Sequence, residues 1–179
     1  MRVITGTARG TTLRTLEGNN VRPTTDKVKE AVFSAIQFEL EGRRILDLFA
    51  GSGQLGIEAL SRGAKNAVFV DADKNAIKIV KENLAKTKLD GLATVVQTDS
   101  IAFLSMTDKV FDIAFLDPPF ETGLLQKALS KIGEHIADGG TVICEHPFKE
   151  ELDDEYNGLV RYRDYKYSKT AVTVYRKEG

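Results

Sequence analysis

Hydrophobic and polar residues follow two periods along the chain, and together these periods predict an α/β fold. Apolar residues recur every 3.6 positions from Asp26 onward, which predicts a helix that ends near Gly42. Short apolar runs then alternate with helical patterns five times, which predicts a mostly parallel sheet with helices on both faces. The predicted strands are residues 45–50, 67–72, 93–99, 111–117 and 141–146, and the helices between them are 54–62, 74–86, 101–106 and 124–136.

The C-terminal part of the chain breaks this alternation. Residues 159–167 and 171–176 both have strand patterns, and the "YSKT" segment between them is too short for a crossover helix. Two consecutive strands with so short a connection form an antiparallel hairpin. We therefore expect a single domain over residues 1–179, with an N-terminal extension of residues 1–25 and an α/β core of residues 26–179.

Composition and charge narrow the class of protein. The chain has 179 residues, is 42% hydrophobic and 28% charged, and has one cysteine, Cys144, within an apolar run. We expect Cys144 in the core and no metal site. No apolar stretch approaches the roughly 20 residues of a membrane span, and "MRVITGTARG" lacks a signal-peptide core. A cytoplasmic protein without membrane contacts, acting as a monomer, is the expectation.

Basic residues are concentrated at the two ends. The net charge is −1, yet residues 1–25 carry +3, residues 159–179 carry +4, and the middle of the chain carries −8. A polyanion would therefore meet the ends rather than the centre. Solvated surface charge explains the same pattern equally well.

Three glycines lie between the first predicted strand and its helix. Gly51, Gly53 and Gly56 match the G-x-G-x-x-G fingerprint in the expected strand-to-helix context. Glycines at this place let backbone N–H groups approach a ligand, and the helix adds a positive dipole end. The match leaves open a nicotinamide or flavin dinucleotide and S-adenosylmethionine.

Acidic residues follow the predicted strands at one edge of the sheet. Asp47, Asp71, Asp99 and Asp117 all lie at or near strand carboxyl ends, where open α/β sheets bind ligands. Such a rim suits a ligand without phosphates better than a pyrophosphate. Helix capping explains any single one of these residues, and it is the preferred interpretation of Asp73.

The segment "FLDPPF" ends the fourth strand in an unusual way. Two consecutive prolines stop strand pairing and hold the chain extended, so that the carbonyl oxygens there are left to accept hydrogen bonds. The Asp117 carboxylate, the Pro118 carbonyl and the Phe120 ring would together hold a planar group that carries an NH2. An ordinary turn is the competing interpretation of this segment.

These motifs combine with "RPTTDKVKEAVF", "VFVDAD", "RVITGTARG" and "VYRK" into a pattern that spans the whole chain. The sequence resembles the bacterial 16S ribosomal RNA guanine-N2 methyltransferases of the small-subunit rRNA methyltransferase D family, which are class I S-adenosylmethionine-dependent enzymes. This resemblance implies a Rossmann-like, seven-stranded sheet whose last strand is antiparallel. The family pattern has glycine at the position of Ser168.

The resemblance also implies roles for individual residues. Asp47, Gly51 and Gly53 would line the methionine end of the cofactor, Asp71 would hold the ribose hydroxyls, and Asp99 would accept from the adenine amino group. The implied cofactor site includes Asp47, Phe49, Gly51, Gly53, Asp71, Ala72, Asp99, Ser100, Ile101, Asp117 and Thr24.

The catalytic segment implied by the resemblance is Asp117, Pro118, Pro119 and Phe120. Asp117 and the Pro118 carbonyl would accept both hydrogens of a guanine amine, Phe120 would stack on the base, and either Asp117 or water would take the proton. A base within a helix would have to be flipped out first.

The RNA partner, 16S rRNA within the small ribosomal subunit, would be held by basic residues of the N-terminal extension. The candidates for phosphate contacts are Arg2, Arg9, Arg14 and Arg22. Arg22 and Thr24 have a second possible role in closing over the cofactor. His146 is interpreted as a hydrogen-bonded structural residue rather than a substrate contact.

Two other functions compete with this interpretation. An adenine-N6 DNA methyltransferase would also use "DPPF" to grip an amine, but the short chain leaves no room for a separate target-recognition domain. An oxidoreductase would use the glycine loop, leave "DPPF" unexplained, and place a pyrophosphate beside carboxylates.

Overall fold

A computed structural model of the chain describes residues 1–17 and 25–179. The helices are α1 (Asp26–Ile36), α2 (Gln54–Ser61), α3 (Lys74–Thr87), α4 (Ser100–Met106) and α5 (Leu124–Ile132). The strands are β1 (Arg44–Asp47), β2 (Asn66–Asp71), β3 (Ala93–Gln97), β4 (Phe111–Leu116), β5 (Ile136–Pro147), β6 (Glu155–Tyr156), β7 (Leu159–Tyr167) and β8 (Thr170–Lys177). Short 3-10 turns cover Asp90–Leu92 and Gly133–His135.

The strands form one mixed sheet in the order β3-β2-β1-β4-β5-β8-β7-β6. Strands β1 to β5 are parallel, and β8 runs antiparallel between β5 and β7. The predicted α/β class, the parallel core and the C-terminal hairpin are thus confirmed. Because β1 neighbours both β2 and β4, the chain order reverses at β1, and such switch points are where open α/β sheets bind ligands.

Three details differ from the sequence prediction. The described residues form eight strands rather than seven, because the two-residue β6, too short to show alternation, pairs with β7. The first helix ends at Ile36, before Gly42, and a turn from Glu39 N–H to the Ile36 carbonyl follows it. Helix α5 ends at Ile132 and continues as the 3-10 turn of Gly133–His135, in which Gly133 lies so close to the backbone of Asn157 that a Cβ would come within 2.1 Å of the carbonyl oxygen.

Alternate residues of the central strands pack on opposite faces of the sheet. Phe115 belongs to the apolar cluster that includes α1, α2 and α3, whereas Leu116 belongs to the cluster with α4 and α5. Helices on both faces are therefore confirmed. Cys144 is buried in the second cluster, as predicted, and burial raises the pKa of its thiol. None of the described helices is long and apolar enough to cross a membrane.

The N-terminal segment is docked on α2 and α3. Arg2 and Thr12 form a bridge that folds residues 1–13 into a small antiparallel loop. The buried Glu58 carboxylate accepts from the Ile4 and Thr5 N–H groups at 2.8 and 3.0 Å, and the Ala8 N–H donates to the Ser61 hydroxyl at 3.0 Å. These hydrogen bonds attach the segment to the helix, because backbone N–H groups of the segment donate to side chains of α2.

The turn of the C-terminal hairpin contains Ser168, the position at which the family pattern has glycine. This residue has φ 58°, within the left-handed region that favours glycine. Serine tolerates this conformation at a modest cost. The turn therefore keeps the backbone shape for which glycine is the usual residue.

Candidate active site

The carboxyl edge of the parallel strands gathers the acidic residues predicted from the sequence. Asp47 and Asp71 are the last residues of β1 and β2, Asp117 directly follows β4, and Asp99 caps α4 two residues after β3. Register pairs Asp47 with both Phe69 and Phe115, so β2 and β4 extend two residues and one residue beyond the end of β1. The four carboxylates therefore share the edge at which the strand order reverses.

The glycine loop turns sharply between β1 and α2. Gly51 and Gly53 have φ of 58° and 83°, which glycine adopts without strain. Gly56 packs helix α2 against β2, because a Cβ there would come within 2.3 Å of the Phe69 ring. These are the uses of the glycines expected from the fingerprint: a tight turn, and close contact of helix and strand.

Asp47 is almost fully buried beneath this loop. Its Oδ2 accepts from the Gly56 N–H at 3.1 Å. Burial raises the pKa of Asp47 to about 7, and the nearby charge of Asp71 acts in the same direction, while the Gly56 N–H opposes the rise. A carboxyl that changes charge near neutral pH inside a cleft is a marker of a functional site.

Asp71 connects the glycine loop to the second strand. Its two oxygens accept from the Gly51 N–H and the Asp73 N–H, each at 2.9 Å. Burial raises its pKa, and these two N–H donors oppose the rise. The next residue, Ala72, is exposed, and Asp73 caps α3 through the Asn75 N–H at 2.9 Å, as predicted.

Residues around Asp99 form a further wall of the edge. The Asp99 Oδ2 accepts from the Ala102 N–H at 2.9 Å and so caps α4. The buried Ser100 hydroxyl donates to the Leu48 carbonyl at 2.7 Å, and this hydrogen bond connects α4 to the segment that directly follows β1. Phe49 and Ile101, both partly buried, pack against the α4 and α5 cluster. Capping uses one Asp99 oxygen, and a carboxylate has further lone pairs for other donors.

The "DPPF" segment lines a small cleft next to β5. Pro118 is buried, Pro119 is exposed, and Asp117 and Phe120 are half-buried. The Thr122 hydroxyl donates to the Pro119 carbonyl at 2.9 Å and closes the turn that leads to α5. The cleft is lined by Pro118, Pro119, Phe120, Glu121, Thr122, Gly123, Leu125, Glu145, His146 and Glu150.

Sequence reasoning missed the β5 side of this cleft. Leu116 is in register with Cys144, so Asp117 follows β4 at the level of Glu145. The two paired strands thus lead into "DPPF" and "EHPF", and residues of both segments line the cleft. The repetition of an acidic residue, a variable residue, proline and phenylalanine at two strand ends was a signal that could have identified Glu145 and Phe148.

His146 has hydrogen bonds on both ring nitrogens, in agreement with its predicted structural role. Nδ1 lies 2.9 Å from the Pro147 carbonyl, and Nε2 lies 2.8 Å from the Thr173 hydroxyl, which donates to Asp164 at 2.7 Å. The carbonyl only accepts, and the threonine proton is used toward Asp164. With a hydrogen-bond partner at each ring nitrogen, the ring is held in the cleft wall.

The arginines proposed for RNA contacts differ in their surroundings. Arg2 and Arg9 are exposed on the docked segment, whereas Arg14 forms a surface ion pair with Glu82 at 2.6 Å. The Leu16 side chain lies 3.8 Å from the position of a Cβ on Gly51, so this segment runs to the glycine loop. Arg22 and Thr24 lie outside the described residues.

Comparisons with known proteins identify relatives that match over the whole chain. YlbH of Bacillus subtilis (strain 168) is 42% identical over 184 residues, covering 100% of both chains. The "Ribosomal RNA small subunit methyltransferase D" of Escherichia coli (strain K12) is 32% identical over 181 residues, covering 100% of this chain and 91% of its own.

Solved structures give the same picture of the fold. The structure of yhhF from Escherichia coli is 31% identical, with a TM-score of 0.87 over 100% of this chain and 98% of its own. An RNA methyltransferase from Salinibacter ruber, solved with S-adenosyl-L-homocysteine, is 16% identical, with a TM-score of 0.68 over 88% of this chain and 94% of its own. At 16% identity, the similarity to the second structure shows a shared fold and nothing more.

A family model described as "Conserved hypothetical protein 95" matches residues 1–176. Together with the full-length relative named as a small-subunit rRNA methyltransferase, this match confirms the family resemblance predicted from the sequence. The chain therefore belongs to this methyltransferase family.

Proposed function

We propose that this protein transfers a methyl group from S-adenosylmethionine to the exocyclic N2 amine of a guanine in 16S rRNA. The observation that carries the proposal is the position of "DPPF", which ends β4 directly beside the glycine loop at the point where the strand order reverses. Relatives named rRNA methyltransferases support the RNA substrate, and an RNA substrate favours a cytoplasmic location.

The chemistry of the edge fits S-adenosylmethionine, a cationic ligand without phosphates. Carboxylates face this edge, and Asp71 lies directly against the Gly51 N–H. Asp47 would balance the ammonium of the methionine end, Asp71 would hold the ribose, and Asp99 would accept from the adenine amine. Phe49, Gly53, Ala72, Ser100 and Ile101 would complete the walls of this site.

When bound, the cofactor supplies a methyl group on a positively charged sulfur, which leaves with the bonding electron pair. The residues of the chain then have to align and activate the amine, whose lone pair is delocalised into the guanine ring. Asp117 and the Pro118 carbonyl would accept its two hydrogens, localise the lone pair, and stabilise the positive charge that develops on nitrogen. Asp117 or water would take the departing proton.

Phe120 would stack on the guanine and fix its plane, as aromatic side chains do with splayed-out bases. The extended Asp117-Pro118-Pro119 backbone would keep the acceptors on one side of this ring. Arg2, Arg9 and Arg14 would contact phosphates from the docked N-terminal segment, and Arg22 would do so from outside the described residues.

The test is transfer of labelled methyl to small ribosomal subunits from a strain that lacks the enzyme, followed by nucleoside analysis. We expect N2-methylguanosine at one site. Asp117→Ala should lower the transfer rate about 10²- to 10³-fold or more while cofactor affinity changes little, because Asp117 acts on the amine. Asp117→Asn keeps an acceptor oxygen, so its transfer rate should lie between those of the wild type and Asp117→Ala.

Asp108→Ala is the control, since this carboxylate is exposed before β4, at the opposite end of that strand. Equal losses of cofactor affinity and transfer in Asp117→Ala would contradict the role of Asp117. Label found only in N6-methyladenine of DNA would overturn the assignment of guanine as the substrate. It would still support the proposal that Asp117 and the Pro118 carbonyl bind an exocyclic amine.

A further inference from the structure

The turn after β5 presents an exposed aromatic ring at the rim of the cleft. The Glu150 N–H donates to the Pro147 carbonyl at 3.0 Å, which closes a turn with Phe148 and Lys149 at its tip. Phe148 is 51% exposed. Glu145, His146 and Glu150, on either side of this tip, line the cleft.

One lysine lies over this ring, and two others are exposed on the adjoining turn and hairpin. The Lys166 Nζ lies 3.9 Å from the centroid of the Phe148 ring, and the Phe148 N–H donates to the Lys169 carbonyl at 2.8 Å. Lys149, Lys166 and Lys169 are all exposed. An exposed ring with several cations around it is the combination that binds single-stranded nucleic acid, by base stacking and phosphate contacts.

The charges of the cleft and of the lysines indicate where the base and the phosphates of a bound RNA strand would lie. Glu121, Glu145 and Glu150 line the cleft itself, so phosphates are repelled from it, whereas the amine and imino hydrogens of a base are attracted. The lysines lie outside the cleft, on the hairpin and turn. A strand that inserts one base would therefore run its backbone across the lysines.

We propose that Phe148, Lys149, Lys166 and Lys169, here called the rim patch, bind the single-stranded RNA that flanks the target guanine. Phe148 stacks on a neighbouring base while Phe120 stacks on the target, in keeping with the parallel "DPPF" and "EHPF" strand ends. The lysines contact the phosphates on either side. This inference rests on the proposed function, because it assigns the path of the RNA into the same site.

The experiment measures binding of small ribosomal subunits from a strain that lacks the enzyme, and of the protein-free 16S rRNA extracted from them, at several salt concentrations. We expect Phe148→Ala to raise the Kd about 5- to 150-fold, since stacking of one base is lost. Phe148→Tyr keeps an aromatic face and should bind like the wild type. Lys166→Ala and Lys169→Ala should each weaken binding and reduce the salt slope by about one.

Matched controls come from the same chain. Phe38, at the end of α1, is 93% exposed, and Lys65 is exposed at the opposite edge of the sheet. Phe38→Ala and Lys65→Ala should leave the Kd and the salt slope unchanged. S-adenosylmethionine affinity is measured for each variant to establish that the site is folded.

Several results would overturn the proposal. These are equal effects of Phe148→Ala and Phe38→Ala, unchanged salt slopes in the lysine variants, or a wild type that binds neither the subunits nor the protein-free rRNA. A loss seen only with assembled subunits would indicate a ribosomal protein as the partner, which also contradicts an RNA contact. Because binding needs no transfer, failure here is distinct from a wild type that transfers no methyl group.

Discussion

Two buried carboxylates lie close to helix α2, and their surroundings differ. Glu58 is fully buried within the helix and accepts hydrogen bonds from the Ile4 and Thr5 N–H groups and from Arg62, with the Lys29 ammonium 3.1 Å away. Burial would raise its pKa, but these donors and cations outweigh burial and hold the pKa below its ordinary value.

Asp47, before the same helix, is almost as deeply buried and accepts from the Gly56 N–H. Burial dominates, and its pKa rises to about 7. The difference teaches that donor number, rather than depth, decides whether a buried carboxylate anchors structure or changes charge near neutral pH. Glu58 holds the N-terminal segment in place, whereas Asp47 can gain or lose its charge near neutral pH where the cationic cofactor is proposed to bind.

The largest effect should come from removing the compensated carboxylate. Glu58→Ala leaves the Lys29 ammonium buried without its partner and frees the Ile4 and Thr5 N–H groups. We expect the free energy of unfolding to fall by about 3–5 kcal/mol, measured by urea denaturation. Glu82→Ala, which breaks the exposed pair with Arg14, should cost about 1 kcal/mol or less. Similar losses in both variants would contradict the anchoring role of Glu58.

A smaller, pH-dependent effect should come from Asp47. Its pKa is raised by folding, so its contribution to stability is complete below the ordinary pKa near 4 and is lost as pH rises through about 7. Asp47→Asn removes this loss. Between pH 5 and pH 8 the variant should therefore gain about 3 kcal/mol relative to the wild type in denaturation experiments. A constant difference across this range would refute the raised pKa, and Asp108→Asn provides an exposed control.

The smallest expected effect concerns ligand affinity. If the ionised Asp47 faces the cofactor ammonium, S-adenosylhomocysteine should bind about tenfold more tightly at pH 7.5 than at pH 5.5 in calorimetry. Asp47→Asn should show nearly the same Kd at both values. If the Kd of Asp47→Asn still changes with pH as much as that of the wild type, another group titrates. The charge on Asp47 would then not contribute to cofactor binding.

The sequence predicted the central elements because local periodicity and motifs act over short distances. The apolar run that ends at Leu116 became β4, and the glycines after β1 became the sharp turn. Errors arose where a boundary depends on remote contacts. After Ile132, helix α5 changes to a 3-10 turn over Gly133–His135, where Gly133 lies against the backbone of Asn157 from a different part of the chain. The two-residue β6 exists only through its pairing with β7.

The same distinction holds for the candidate site. Asp47, Asp71, Asp99 and Asp117 could be placed from sequence, since each follows its own strand and parallel strands end at one edge. The cleft wall of Glu145 and His146 required the pairing of β4 with β5, and the docking of the N-terminal segment required the buried Glu58.

The sequence by itself determined the order of strands and helices, the glycine turn and the position of "DPPF" at a strand end, because these depend on neighbouring residues. Only the tertiary structure decided that the "DPPF" and "EHPF" segments line one cleft, that Lys29 and Arg62 compensate the charge of Glu58 while burial dominates at Asp47, and that Lys166 of the hairpin lies over the Phe148 ring. Burial and electrostatic compensation depend on residues distant in the chain, which no local pattern records.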